Sequence, residues 1–104
     1  MDLVKVIYHI TKTFPNEEIY WLTSQIRRCA ISIPSNIAEW SERSTNKDFC
    51  NFLKITKWSL AELETQIIIA KNLEYIKIQD NFDICIKSII ELRKMVSWLI
   101  NKLK

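Results

Sequence analysis

Not one glycine occurs in the 104 residues of this chain, and prolines stand only at positions 15 and 34. Tight hairpin turns and left-handed helix caps rest on backbone with positive φ, which glycine adopts without steric cost. A β-rich or loop-rich fold needs many such positions, so the sequence points to an all-α chain with few connections. The same absence removes every glycine-rich phosphate loop from consideration. With 48% hydrophobic and 26% charged residues, a single domain over 1–104 is expected, able to form a core without metals or disulfides.

Apolar residues recur at steps of three and four, the spacing of a helix that packs on other helices. The first such segment is short. It carries Leu3, Val4, Ile7 and Ile10 and ends near Thr13. Phe14-Pro15-Asn16 breaks it, because the residue before a proline is pushed away from α geometry. The second should run from about Glu17 to Arg43 on the stripe Ile19, Leu22, Ile26, Cys29, Ile33, Ile37 and Trp40. Pro34 lies within that stripe, and the register continues beyond it, so a kink is expected there rather than a stop. Ser44-Thr45-Asn46 is a capping cluster. Thr45 or Asn46 should open the third helix, with Asp48 in its first turn and Phe49, Leu53, Thr56, Leu60, Leu63, Ile67 and Ala70 inward. A second row, Phe52, Ile55, Ile69 and Leu73, is expected to widen that buried face. Glu74 to Gln79 reads as the loosest connector and Asp80 as the cap of a fourth helix, which bears Phe82, Ile86, Ile89, Leu92, Val96, Leu99 and Leu103. Short connections fold consecutive helices back on one another, giving an antiparallel up-down-up-down four-helix bundle with a short first helix.

The N-terminal stretch places charge among its apolar residues and lacks a small-residue cleavage site, so no signal peptide is expected. No apolar run approaches the ~18 residues needed to span a bilayer. Cys29, Cys50 and Cys85 are odd in number and unrelated in spacing, so neither a disulfide framework nor a metal site is expected, and no cofactor. Each lies in an apolar helical pattern, where a reduced cysteine acts as a small hydrophobe. The cytoplasm is the expected compartment.

The sole histidine, His9, has no acidic residue at helical spacing on its face, and no Glu-x-x-His pair exists. Glu62 and Glu64, two apart on a helix, point in different directions. The chain is therefore not expected to be an enzyme. In the segment Gln25 to Arg43, Asn36 lies three residues before Glu39, and Glu39 four before Arg43. With Arg28 they form a polar flank expected to join Ser59 and Glu62 of the third helix in a register-fixing network, direct ligand binding being the alternative. Trp40 lies on the stripe and is expected in the core. Trp21 and Trp58 are two positions off their stripes and should face outward, where a subunit interface best accounts for them.

The net charge is +3, unevenly spread. Basic residues gather between Arg27 and Lys57 and again after Cys85, whereas the stretch 58–84 is acidic in balance. Arg27, Lys54, Lys57, Arg93, Lys94, Lys102 and Lys104 are the expected contacts to a polyanion. No aromatic platform is expected beside them, which favours structured RNA or duplex over single strands.

The runs FPNEEIYWLTSQIRRCAISIPSNIAEWSER and FCNFLKITKWSLAELETQIIIAKNLEYI resemble the four-helix bundle family of proteins encoded by 23S ribosomal RNA intervening sequences. The resemblance covers nearly the whole chain. It rests on Phe14, Pro15, Leu22, Thr23, Gln25, Arg27 and Arg28, on the SIPSNIAE run from Ser32 to Glu39, on Arg43, Phe49, Phe52 and Leu53, and on Ser59, Leu60, Glu62, Leu63 and Glu64. Trp40 and Trp58 stand where that family usually has glycine. The related accessory variability determinant proteins of diversity-generating retroelements are basic homopentamers that bind a reverse transcriptase and nucleic acid. The resemblance thus implies a homo-oligomer, a pentamer in the first instance. The function expected is a non-enzymatic accessory or scaffold protein that binds nucleic acid. The alternative is a protein-interaction module, for example one docking a reverse transcriptase, without nucleic-acid binding of its own.

Overall fold

A computed structural model describes the backbone of residues 2–43 and 45–103, and the side chains in those stretches except at 2, 18–20, 36 and 39–43. Four α-helices account for most of it: α1 (Asp2–Thr11), α2 (Ser24–Arg43), α3 (Asn46–Asn72) and α4 (Gln79–Leu103). Among the described residues there is no β-strand. α1 packs on α2, α2 on α3, α3 on α4 and α4 back on α1, so the helices surround one core. The molecule measures 42 × 24 × 19 Å, and its long axis matches the ~40 Å expected of the 27-residue α3.

The core is aliphatic. Leu3, Ile7 and Ile10 of α1 meet Ile26, Ala30 and Ile33 of α2, Leu53, Leu60, Leu63 and Ile67 of α3, and Ile89, Leu92, Val96 and Ile100 of α4. On α3 the expected stripe from Leu53 to Ala70 is buried, with Cys50 buried and Phe49 half-buried at its start. Of the two expected openers Thr45 is the N-cap, its hydroxyl oxygen accepting from the Asp48 backbone amide at 3.2 Å. The second row on α3 departs from expectation. Only Phe52 is partly covered, while Ile55, Leu73 and Ile69 are 55%, 51% and 44% exposed. These three lie roughly 140–180° around the helix from Leu60, too far to reach the same core.

The approach to α2 also differs from a single helix beginning at Glu17. A 3-10 turn over Asn16–Glu18 and a π-helical turn over Ile19–Thr23 precede it. A π turn holds more residues than an α turn and so shifts the register that follows. Within α2, Ala30 rather than Cys29 takes the place between Ile26 and Ile33 at the centre of the core, and Cys29 sits half-buried on the side facing α3. α2 continues through Pro34 to Arg43. The side chain of Trp40, expected in the core, lies outside the described residues.

α4 begins at Gln79, two residues before the start that a cap at Asp80 implies, so Asp80 lies in its first turn rather than capping it. The Gln79 side chain donates from Nε2 to Asp83 Oδ1 at 3.0 Å across that turn. Before it, α3 ends in a reciprocal pair of backbone bonds: Tyr75 N–H to Ala70 O at 2.9 Å and Glu74 N–H to Lys71 O at 3.0 Å. That pairing needs a left-handed residue just past the helix. With no glycine to supply it, Glu74 adopts φ 66°. Tyr75 then lies against Phe14, their ring centroids 5.6 Å apart, which joins the α3–α4 connection to the one leading into α2.

Candidate nucleic-acid interface

Lysines 54 and 57 lie one turn apart on α3, with Trp58 and Ala61 on the same side. Arg93, Ser97, Ile100 and Asn101 repeat that spacing on α4. Because α3 and α4 pack side by side, the two rows face each other across a groove of about 590 Å³. Three of the expected polyanion contacts, Lys54, Lys57 and Arg93, are thus brought to one place. Lys54 and Lys57 are exposed and pair with no carboxylate among the described residues. Arg93 is partly buried and donates from Nη1 to Glu64 Oε1 at 3.2 Å, which neutralises part of its charge and fixes its guanidinium at the groove edge.

The remaining basic residues lie elsewhere. Lys94 is exposed on the next face of α4, in a shallow hollow with Phe82, Ile86 and Ile90. Lys102 extends along the same helix with Nζ 5.5 Å from the Trp98 ring. Lys104 lies outside the described residues. Arg27 corrects the expectation of a solvent-facing cation. It is half-buried, its Nε donates to Thr11 Oγ1 at 2.8 Å, and its guanidinium lies 4.7 Å over the Tyr8 ring. Thr11 in turn donates to the Ile7 carbonyl at 2.8 Å. Arg27 holds α1 to α2.

The expectation that no aromatic surface accompanies the cations is also corrected. Trp58 lines the groove and is 73% exposed. The sequence held the signal: Trp58 follows Lys57 directly and lies four residues after Lys54, the spacing of helix neighbours. Trp21 faces outward as expected, at 68%, and Trp98 joins it at 58%.

Of the polar flank on α2, the side chains of Asn36, Glu39 and Arg43 lie outside the described residues. The described members do not converge. Arg28 is exposed. The Ser59 hydroxyl donates within its own helix to Ile55 O at 3.2 Å, and Glu62 accepts from Gln66 Nε2 at 3.5 Å, one turn on. Among the described residues, Cys29 makes a polar contact between α2 and α3, its thiol lying 3.3 Å from the Ser59 carbonyl. Burial, with a lesser push from the Glu62 carboxylate, raises the Cys29 pKa to about 11. Burial alone raises that of Cys85 to about 12. Both thiols are therefore protonated near neutral pH and poor nucleophiles. His9 is exposed near the end of α1, beside Lys12, Lys77 and Asn81. Among the described residues, no helix is long and apolar enough to cross a membrane.

A family model described as 23S rRNA-intervening sequence protein matches residues 1–98. No curated protein matches the chain.

Proposed function

The chain belongs to the 23S rRNA-intervening sequence protein family, and on that premise we propose that it is a non-enzymatic, homo-oligomeric scaffold of the cytoplasm that binds nucleic acid, structured RNA in particular. The observation that carries this reading is the convergence of Lys54, Lys57 and Arg93 on one groove. Phosphates are the ligands such cations suit, and binding through them follows backbone shape rather than base sequence.

Self-association is the second half of the reading. In it the helices alternate in direction, up-down-up-down, with α2 bent at Pro34, and copies assemble as a pentamer. Support comes from apolar surface that a lone chain leaves in water: Trp21 before α2 and the row Ile55, Ile69 and Leu73 along α3. Trp58 stands at the border between that row and the basic groove. Assembly would repeat the groove around a symmetry axis and turn a weak field into a strong one. Three free cysteines, two of them buried, fit a reducing compartment. The same exposed row favours the second reading, a protein-interaction module docking a partner such as a reverse transcriptase.

The test is a titration of labelled structured RNA at low and high salt, with wild type beside Lys54→Glu/Lys57→Glu and Lys94→Glu. Wild type should bind at ~50 mM salt and weaken steeply by ~200 mM, as counterion release requires. The double reversal in the groove should abolish binding, while Lys94→Glu should reduce it only slightly. No binding by wild type at ~50 mM salt would replace this reading with the interaction module.

A further inference from the structure

Trp58 is an unusual neighbour for two lysines that pair with no carboxylate among the described residues. Interface cores are depleted of lysine, because covering an ammonium group strips its water without return. A second protein closing over Trp58 would have to desolvate Lys54 and Lys57, which share its groove. A ligand that brings phosphate and an aromatic ring together has no such penalty. Its phosphate meets the two ammonium groups, and its base covers the indole.

Resting on the nucleic-acid reading above, we infer that the α3–α4 groove holds one unpaired nucleotide, its base stacked on Trp58 and its phosphate held by Lys54 and Lys57. The groove's size agrees: about 590 Å³ is within the roughly 300–1,000 Å³ of small-ligand sites. A base locked in a duplex is stacked on its neighbours and has no free face to lay on Trp58. An unstacked base has one. Ser97 and Asn101 line the α4 wall and offer a hydroxyl and an amide to a base edge, while Ile100 supplies an apolar floor. Arg93, tied to Glu64, borders the site and adds little net charge. Structured RNA therefore docks by its phosphates, and a bulged or looped-out nucleotide seats in the groove.

The experiment compares a perfect RNA duplex with the same duplex carrying one bulged adenosine, by fluorescence anisotropy at ~50 mM salt. The bulge should tighten binding about tenfold, the gain a stacked base gives. Trp58→Ala should remove that gain, so that bulged and perfect duplex bind it alike, whereas Trp58→Phe should keep most of it. Neither stacking nor the phosphate contact uses the 2′-hydroxyl, so a bulged DNA duplex should show the same gain over its perfect counterpart. Equal affinity for bulged and perfect duplex overturns the nucleotide site while leaving the nucleic-acid reading standing; no binding of either duplex by wild type ends both. A gain seen with RNA alone also overturns the proposed mode. So does a Trp58→Ala protein that changes sedimentation state, since Trp58 would then belong to a subunit interface.

Discussion

Glu74 fills the left-handed position at the end of α3 that a chain with no glycine must give to another residue. A Cβ in that conformation costs roughly 1–2 kcal/mol, of which glycine would return part and lose some to its freer unfolded chain. Glu74→Gly should therefore stabilise the protein by about 1 kcal/mol, read as a higher urea midpoint. A lower midpoint would mean the Glu74 side chain makes a contact worth more than the strain. The thiols carry a second residue-scale consequence. Folding raises Cys29 to about 11 and Cys85 to about 12, so the unfolded chain releases these protons first as pH rises. Their contribution to stability is complete below the ordinary thiol pKa of 9.0 and is lost on the way up to the folded values. Urea unfolding at pH 8 and pH 10 should show a loss that Cys29→Ser/Cys85→Ala shares only in part. An identical pH dependence in that variant would show that the thiols titrate alike in both states.

At the scale of elements, α1 depends on a contact that local sequence does not advertise. Its ten residues are too few to hold helix on their own. Leu3, Ile7 and Ile10 give it a buried face, and Arg27 of α2 adds a hydrogen bond to Thr11 and a cation over Tyr8. Arg27→Ala should cost about 1–2 kcal/mol and speed hydrogen exchange in α1 before the rest of the bundle. If instead stability holds and RNA affinity falls, Arg27 belongs with the polyanion contacts after all. The start of α3 is simpler. Thr45 satisfies the Asp48 amide, and Thr45→Ala should lower stability by about 1 kcal/mol in the same urea assay.

At the scale of the whole molecule, the question is what covers the outward apolar row of α3. Ile55, Ile69 and Leu73 are each more than two-fifths exposed, and Trp21 more than two-thirds. If copies of the chain cover one another there, wild type at tens of micromolar should sediment as a multiple of the 12.4 kDa chain. Ile55→Glu/Ile69→Glu should return it to the monomer without unfolding it, since neither residue contributes to the core. A monomeric wild type would remove self-association and leave the row to a different protein.

The sequence alone settled whatever depends on period and punctuation. The missing glycines excluded β-rich folds, and the three-four spacing located all four helices. Thr45 marked a helix start, and Leu53 to Ala70 marked a buried stripe, because each of these is decided within a few residues of itself. The tertiary structure decided what depends on which helix lies next to which. The Ile55 row looked like core since its spacing is helical and apolar, but spacing does not say how wide the neighbouring helices reach. Arg27 looked like a surface cation, since its partner Thr11 is sixteen residues away on another helix. Ala30 went inward and Cys29 aside because Ile26–Ala30–Ile33 and Ile26–Cys29–Ile33 are equally helical in spacing, and only the neighbouring helices select between them. Lys54 and Lys57 could be marked as basic from the sequence. Only the packing of α3 on α4 set them, with Trp58, opposite Arg93 in a single groove, because a groove is made by two elements at once.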